Sequence, residues 1–306
     1  AGQAQRDFIK SLDYQLFVDS LATQIGVDNN GEPVYEPNTG YVERNHYLNS
    51  VADISNEDSL YTFFILQDDV FTTRRDLLKP YFTYRNADTT QRLAATHLTK
   101  DLVIRGLYTE ETLLDTLVSK FQVKVPFDKS AIVETYMASN GIVHVMSKMD
   151  FRLKDQFPAI KIHGEKPTSF IADFRFESWS TRYRSWADNT FDIRIFDHRK
   201  ANTYVRYLVR DLYSMKYNVS WRAVNDFTGA FNQKLVVDSI IPYRGAPMKD
   251  FGLRSVPLAT SNPEVIPGIV YLGEYTNKYY QNIQFYIVAD NLSPIELDYI
   301  LLEPIP

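Results

Sequence analysis

The spacing of hydrophobic residues changes near residue 157 of this 306-residue chain. Before that point, apolar side chains recur at helical intervals or gather in short runs. After it, they alternate with polar residues at a period of two, which is typical of β-strands. The change falls around Phe157-Pro158 and predicts two domains, 1–157 and 158–306.

The first half combines helical and strand patterns. Apolar residues from Phe8 to Ile25 recur at helical spacing and predict one amphipathic helix. The run Tyr61–Leu66 is short, apolar and β-branched or aromatic, which predicts a buried strand, and Asp68-Asp69 would begin the next helix. Further helices are expected at 90–98 and from Thr109 onward. This half is therefore predicted to be α+β.

A hairpin is predicted where Asn140-Gly141 separates two apolar runs. A type I′ turn needs positive φ at both central residues, and Asn and Gly tolerate it best. In the strand from Ile142 to Met146 neither face is polar, so we expect it to be covered on both sides.

Three segments of this half, taken in order, resemble a fasciclin domain. Tyr61–Phe71 is similar to its first motif, a buried strand followed by an acidic cap and a helix-starting Phe. Leu93–Leu98 is similar to its central histidine segment, and Ala138–Met149 to its closing motif. The resemblance covers about residues 8–151, and it implies a role in adhesion or in interaction with a partner.

The resemblance also implies a location. An exported protein at the cell surface or outer membrane is expected, with a bacterial surface lipoprotein as the natural setting. Its lipid-bearing cysteine would lie upstream of Ala1, and this anchor is the one membrane attachment that we expect.

The second half carries about eight short strands separated by turn-rich loops, which predicts an antiparallel two-sheet sandwich, in our interpretation a jelly roll. Its last strand, Ile295–Ile305, resembles the terminal strand of galactose-binding-like jelly rolls. That group includes many carbohydrate-binding modules. The fold class predicted for the whole chain is therefore multidomain, a fasciclin-like α+β domain followed by an all-β jelly roll.

Composition narrows the possible partners. The net charge is −5, and both nucleic acids and anionic membranes call for concentrated positive charge, so we expect neither as a partner. The chain has no cysteine, which excludes disulfides and thiolate chemistry within it. Aromatic residues make up 14% of the chain, a content that fits β-rich architecture or an exposed aromatic binding surface.

No catalytic motif was found in the sequence. His97 and His144 lie inside apolar runs with no nucleophile or orienting carboxylate at a defined spacing, so both are expected to be buried structural residues. The other histidines do not have metal-ligand spacing, and we predict no catalytic residue, metal or cofactor. A carboxylate pair of the glycosidase kind cannot be picked out among 38 acidic residues.

The strongest functional signal lies in residues 177–189, where aromatic rings alternate with arginine, serine and amide groups. Flat ring faces beside hydrogen-bonding groups suit sugar rings. The residues proposed to contact glycan are Trp179, Arg182, Tyr183, Trp186 and Asn189, with Tyr243, Tyr275 and Tyr279 as secondary candidates. The alternative is that these aromatic side chains pack one end of the sandwich, or that Arg182 and Arg184 stack on them as a purely structural surface.

Three functions therefore remain open from the sequence. The first is a non-enzymatic cell-surface adhesion or binding protein whose sandwich binds glycan. The second is a protein–protein adhesion or scaffold protein that does not bind sugar and has a surface protein as its partner. The third is a glycan hydrolase with a carboxylate pair in a sandwich cleft.

Overall fold

The computed structural model describes residues 2–171, 178–184, 190–238, 248–259 and 269–306. The chain forms two compact units, the first made of Ala1–Lys79 and Asp88–Gln156, the second of Pro80–Ala87 and Phe157–Pro306. The second unit thus includes a short segment that the predicted division assigned to the first domain. Among the described residues, no helix is long and apolar enough to cross a membrane.

The first unit mixes helices and strands, as its α+β pattern predicts. Its helices are α1 Gln3–Lys10, α2 His46–Ser50, α3 Asp68–Leu78, α4 Ala87–Thr99 and α5 Leu153–Gln156. Its strands are β1 Asp13–Phe17, β2 Gln24–Val27, β3 Pro33–Tyr35, β4 Tyr41–Asn45, β5 Tyr61–Leu66, β6 Val103–Arg105, β7 Thr116–Val118, β8 Lys124–Pro126, β9 Ile132–Ala138 and β10 Gly141–Met146.

A four-stranded sheet in the order β6-β5-β10-β9 forms the centre of this unit. Burial alternates along β5, where Thr62, Phe64 and Leu66 face the core. Strand β10 runs parallel to β5 and antiparallel to β9, and it is buried along most of its length. The prediction of an internal strand here is confirmed.

The turn between β9 and β10 differs from the predicted type I′ turn. Ala138 pairs with Gly141, so the loop residues are Ser139 and Asn140. Neither Asn140 nor Gly141 has a positive φ. The amide of Asn140 instead donates to the carbonyl oxygens of Ile54 and Asn56, both at 3.0 Å, and so ties the turn to the preceding loop.

Two predicted helices are replaced by other structure. Helix α1 ends at Lys10, and the chain then enters β1, whose backbone groups pair with β4. After Thr109 a hydrogen-bonded turn forms instead of a helix, and the chain continues into β7, which pairs with β8. In both places an antiparallel partner strand satisfies the backbone hydrogen-bonding groups, and this overrides the local helical spacing.

The second unit is built from strands. They are β11 Ile160–His163, β12 Ser169–Ile171, β13 Ser178–Arg184, β14 Thr190–Phe196, β15 Tyr204–Leu212, β16 Lys216–Arg222, β17 Phe231–Asp238, β18 Lys249–Val256, β19 Val270–Thr276, β20 Gln281–Ala289, β21 Ile295–Leu297 and β22 Tyr299–Ile305. In the described part of this unit, every pairing between these strands is antiparallel.

Two sheets of this unit face each other across a hydrophobic core. One has the order β11-β22-β16-β19 and the other β12-β15-β20-β17-β18. Trp221 and Tyr217 of the first sheet are fully buried, as are Phe285 and Tyr207 of the second. The ring of Tyr275 packs edge-on against Phe285 across the interface. The prediction of an all-β sandwich of antiparallel strands in the second half of the chain is therefore confirmed.

A third, three-stranded sheet has the order β13-β14-β21. It places the hairpin β13–β14 beside the end of the sandwich through β21, which is followed directly by β22. Strand β13 contains residues 178–184 of the aromatic-rich segment 177–189, and the rest of that segment lies outside the described residues.

Candidate functional site

The register of the hairpin β13–β14 separates its side chains onto two faces. Arg182 lies opposite Asp192, and Arg194 lies opposite Glu296 of β21, so these four side chains share one face. Trp179 and Tyr183 belong to the other face, together with Phe191 and the buried Ile193. The hairpin is therefore charged on one face and apolar on the other.

The guanidinium of Arg182 is held by two carboxylates. It donates to both oxygens of Asp192, at 2.9 Å from Nε and 2.6 Å from Nη2, and to Asp226 at 2.8 Å from Nη1. The pair with Asp192 is bidentate, which is the strongest form of the arginine–carboxylate interaction. Arg182 therefore joins parts of the protein to each other, on the face opposite to Trp179 and Tyr183, and its role as a ligand contact stays a prediction.

Arg194 extends this charged face. Its Nε donates to Glu296 and its Nη2 to Asp226, and its guanidinium lies 3.8 Å from the centre of the Phe227 ring. We call Arg182, Asp192, Arg194, Asp226 and Glu296 the ionic cluster. It connects the hairpin strands β13 and β14 to β21 and to the segment that follows β16, both of which come later in the sequence.

Glu296 is the most deeply buried member of the ionic cluster. Burial raises its pKa to about 7, although the neighbouring Arg182 and Arg194 act to lower the pKa. One of its oxygens, Oε2, has no hydrogen-bond partner among the described residues. Its backbone is clamped by the fully buried Gln233, whose amide donates to the Glu296 carbonyl at 2.8 Å and whose oxygen accepts from the Glu296 N–H at 3.0 Å.

The opposite face ends in two exposed aromatic rings. Tyr183 and Phe191 are directly paired across the hairpin, with ring centres 5.6 Å apart in an edge-to-face arrangement. Their side chains are 57% and 45% exposed, whereas Ile193 and Ile195 further along the same face are fully buried. Trp179 lies half-buried on this face. The apolar face thus runs from the core out to solvent and ends in an aromatic pair.

The other predicted contacts have different outcomes. Trp186, Asn189 and Tyr243 lie outside the described residues. Tyr275 is on β19 with only 3% of its surface exposed, and burial raises its pKa to about 12. Its ring belongs to the sandwich core, so the prediction of Tyr275 as a surface contact is wrong. Tyr279, between β19 and β20, is half exposed.

Two exposed rings were missed by sequence reasoning. Phe191 lies beyond the aromatic-rich segment and enters the site because the hairpin places it opposite Tyr183. Tyr271 is more than half exposed on the edge strand β19, where its hydroxyl donates to Asn218 at 3.4 Å. A hairpin register drawn for residues 178–196 would have shown the first of these contacts.

Both histidines of interest are buried in the first unit, as expected. His144 is hydrogen-bonded at both ring nitrogens, to the Thr135 hydroxyl at 3.0 Å and the Tyr108 carbonyl at 2.8 Å. Burial lowers the pKa of His97 well below its ordinary value. Among the described residues, no group of three His, Asp or Glu side chains is placed to hold a metal ion.

Comparison with known proteins found similarity only at the level of structure. No protein-family model and no curated sequence matches the chain. A family 35 carbohydrate-binding module from Clostridium thermocellum aligns over 49% of this chain and 100% of its own, at 12% identity and a TM-score of 0.33. The CBM36-1 domain of a multidomain xylanase from the hindgut metagenome of Trinervitermes trinervoides aligns over 49% and 99%, at 14% identity and a TM-score of 0.32.

Larger chains match over a smaller share of their length. The Podospora anserina GH26-CBM35 β-(1,4)-mannanase aligns over 48% of this chain, at 12% identity and a TM-score of 0.34, but only 28% of the mannanase is covered. These scores are too low to assign the chain to a family or to give it a ligand.

Proposed function

We propose that this is a non-enzymatic binding protein whose second unit contacts glycan through the aromatic pair Tyr183–Phe191. The observation that carries the proposal is the exposure of both rings on ordered strands of one hairpin. Sugar rings present C–H faces that pack on the flat faces of aromatic rings, while their hydroxyls take hydrogen bonds from neighbouring polar groups. The chemistry of this surface is therefore suited to a saccharide chain.

The ionic cluster supports this proposal from the other face of the hairpin. Arg182 holds β13 to Asp192 of β14, and Arg194 holds β14 to Glu296 of β21. Because these pairs fix the strands, Tyr183 and Phe191 lose little further freedom when a ligand packs on them. Pre-organisation of this kind increases affinity without new contacts.

The first unit is proposed to do adhesion work of the fasciclin type. This rests on the sequence resemblance of Tyr61–Phe71, Leu93–Leu98 and Ala138–Met149. The whole protein would then be an exported, cell-surface protein of bacterial origin, anchored by a lipid on an upstream cysteine. Sequencing the native precursor tests this point: a signal segment ending in a cysteine is expected, and a precursor without any signal segment would rule out the anchor.

A glycan hydrolase is the second candidate, and one observation favours it. Glu296 and Asp226 both bind Arg194, and a pKa of about 7 is the value that a catalytic acid needs. Glu296 has no exposed surface, however, so a substrate would reach it only after the cluster opened. Release of reducing ends from a polysaccharide that is lost in Glu296→Gln would establish this function.

The test of glycan binding is titration calorimetry of the full chain against xylan, mannan and β-glucan. We expect Tyr183→Ala and Phe191→Ala each to weaken binding about tenfold, which corresponds to about 1.4 kcal/mol. Leu292→Ala is the matched control because Leu292 is as exposed as Tyr183, at 57%, on another part of the same unit.

Equal binding by all three variants would place the glycan elsewhere. A complete lack of binding across the panel would favour the protein–protein adhesion alternative, in which the same rings contact a surface protein. Circular dichroism of each variant checks that the fold is intact.

A further inference from the structure

Residues 13–45 of the first unit form a long ribbon that we call the arm. Strands β1 and β4 pair from Asp13–Asn45 at its base to Phe17–Tyr41, and β2 and β3 pair nearer its tip. Between the two ladders, Val18 donates to Gly40 at 2.8 Å and Glu36 donates to Thr23 at 2.8 Å. Backbone hydrogen bonds therefore continue along the whole arm.

The arm is firmly attached at its base. The Asn45 amide donates to the carbonyl of Ile9 at 2.8 Å and to Asp13 at 2.6 Å, and its oxygen accepts from the first turn of α2. The ring of Tyr14 stacks on His46 at 4.2 Å. These contacts give the arm a defined direction of exit from the unit.

The bend between the ladders is also well packed. Gly40 has a φ of +79°, and a Cβ there would lie 2.6 Å from the Cβ of Ala22 and 2.8 Å from the Phe17 ring. Phe17 makes edge contacts with Tyr35 and Tyr41 at 5.2 and 5.4 Å. Only glycine fits this position, because it combines positive φ with close approach.

Despite this order, the arm leaves much of its apolar surface exposed to solvent. Seven large apolar side chains in it are between 36% and 64% exposed, namely Leu16, Phe17, Leu21, Ile25, Val27, Val34 and Tyr41. A two-stranded ribbon is marginally stable by itself, and contiguous exposed apolar surface marks an interaction site. The arm therefore has the character of one half of an interface.

The net charge of the arm indicates which kind of partner surface it would bind. The arm carries six carboxylates and one arginine, a formal charge of −5, which equals the net charge of the whole chain. The rest of the protein is thus neutral overall. A second copy of the arm would be repelled by like charge, and an anionic membrane surface would be repelled for the same reason.

We propose that the arm docks into a partner protein that presents an apolar groove bordered by lysine and arginine. The apolar side chains would supply the buried centre of the interface and the carboxylates its charged rim. The inference is independent of glycan binding, because the arm and the aromatic pair belong to different units.

The test begins with a photo-crosslinking phenylalanine in place of Ile25, expressed in the organism that encodes the protein. The same group in place of Leu292 is the control, because the two positions are 61% and 57% exposed. The protein crosslinked only from the Ile25 position is then purified and titrated with the full chain.

Three variants decide the outcome of that titration. Ile25→Ser combined with Val27→Ser is expected to weaken binding at least tenfold, and so is Glu32→Lys combined with Glu36→Lys. In the third variant, a two-residue Asn-Gly turn joins Asp13 to Asn45, which are already paired, and binding should be lost. Polysaccharide titration with this shortened chain should be unchanged.

The proposal is overturned if no adduct is specific to the Ile25 position, or if the adduct is a second copy of the chain. It is also overturned if the purified partner binds the shortened chain as tightly as the full chain. Binding that depends on Ile25 and Val27 but is insensitive to charge reversal would overturn the basic rim.

Discussion

The Cα of Gly141 lies so close to β5 that a Cβ there would stand 2.1 Å from the carbonyl oxygen of Tyr61. Gly141 and Tyr61 are register partners at the start of the parallel pair β10–β5, and the Tyr61 N–H donates to the carbonyl of Asn140 at 3.0 Å. Glycine is therefore needed here for close approach between strands, and positive φ plays no part.

Gly141→Ala is expected to lower the free energy of unfolding by about 2–3 kcal/mol, because the added methyl group must push β10 away from β5. Gly26→Ala is the matched control: Gly26 is also in a strand, and a Cβ there would meet nothing within 4 Å. Urea denaturation of both variants measures the difference. Equal stability of the two variants would show that the sheet can move apart at no cost.

The buried carboxyl of Glu296 predicts a pH dependence of stability. Its pKa is raised from 4.5 to about 7 in the folded protein, so the fold favours the protonated form. The stability that protonated Glu296 contributes is fully present below pH 4.5 and is lost as the pH rises through about 7. The free energy of unfolding should fall by up to roughly 3 kcal/mol over this range.

Glu296→Gln, which stays neutral, should not show that loss. The free energy of unfolding of this variant should therefore rise relative to wild type between pH 4.5 and pH 7.5, as measured by urea denaturation. Glu303→Gln, at an exposed position on β22, serves as the control. Parallel pH profiles of wild type and Glu296→Gln would contradict the shifted pKa.

Arg182→Ala is expected to destabilise the second unit by about 3 kcal/mol or more, because it removes the two hydrogen bonds donated to the buried Asp192. Lys216→Ala breaks an exposed pair with Glu274 and should change stability by less than about 1 kcal/mol. Thermal unfolding followed by circular dichroism compares them. Similar effects of both substitutions would mean that the ionic cluster contributes no more than a surface pair.

Removing the hydroxyl of Thr135 is expected to have a smaller effect on the stability of the first unit. It donates to Glu110 at 2.8 Å and lies 3.0 Å from Nδ1 of the buried His144. Thr135→Val should lower the free energy of unfolding by about 1–3 kcal/mol, because Nδ1 of His144 would lose its partner inside the protein.

Thr135→Ser keeps the hydroxyl and should recover most of this stability. Nuclear magnetic resonance of the His144 ring gives a second readout, since the Nδ1 resonance should shift in the valine variant and stay near its wild-type position in the serine variant. A stable valine variant with an unshifted ring would show that the hydrogen bond to Thr135 is dispensable.

Local pattern was enough to predict several elements correctly. The run Tyr61–Leu66 is a strand with alternating burial, and Asp68-Asp69 begin α3 directly after it. The period-two pattern of the second half predicted antiparallel sheets, and the apolar surroundings of His97 and His144 predicted their burial. Each of these properties depends on side-chain period and hydrophobicity, which a short stretch of sequence contains.

Other features were decided by pairing between distant segments. The residues after Lys10 fit a helix by spacing, yet they form β1 because β4 offers a partner. Tyr275 and Tyr183 are both tyrosines in strands with polar neighbours, but one faces the sandwich core and the other faces solvent.

By itself, then, the sequence determined several of the strands and buried positions, the α+β pattern of the first half and the period-two pattern of the second, and the acidic, apolar character of residues 13–45. The tertiary structure alone decided which side chains meet. Arg194 and Glu296, 102 residues apart, share one face only because β14 pairs with β21 in this register. A shift of one residue in that pairing would put the two side chains on opposite faces of the sheet. No local sequence pattern specifies the register.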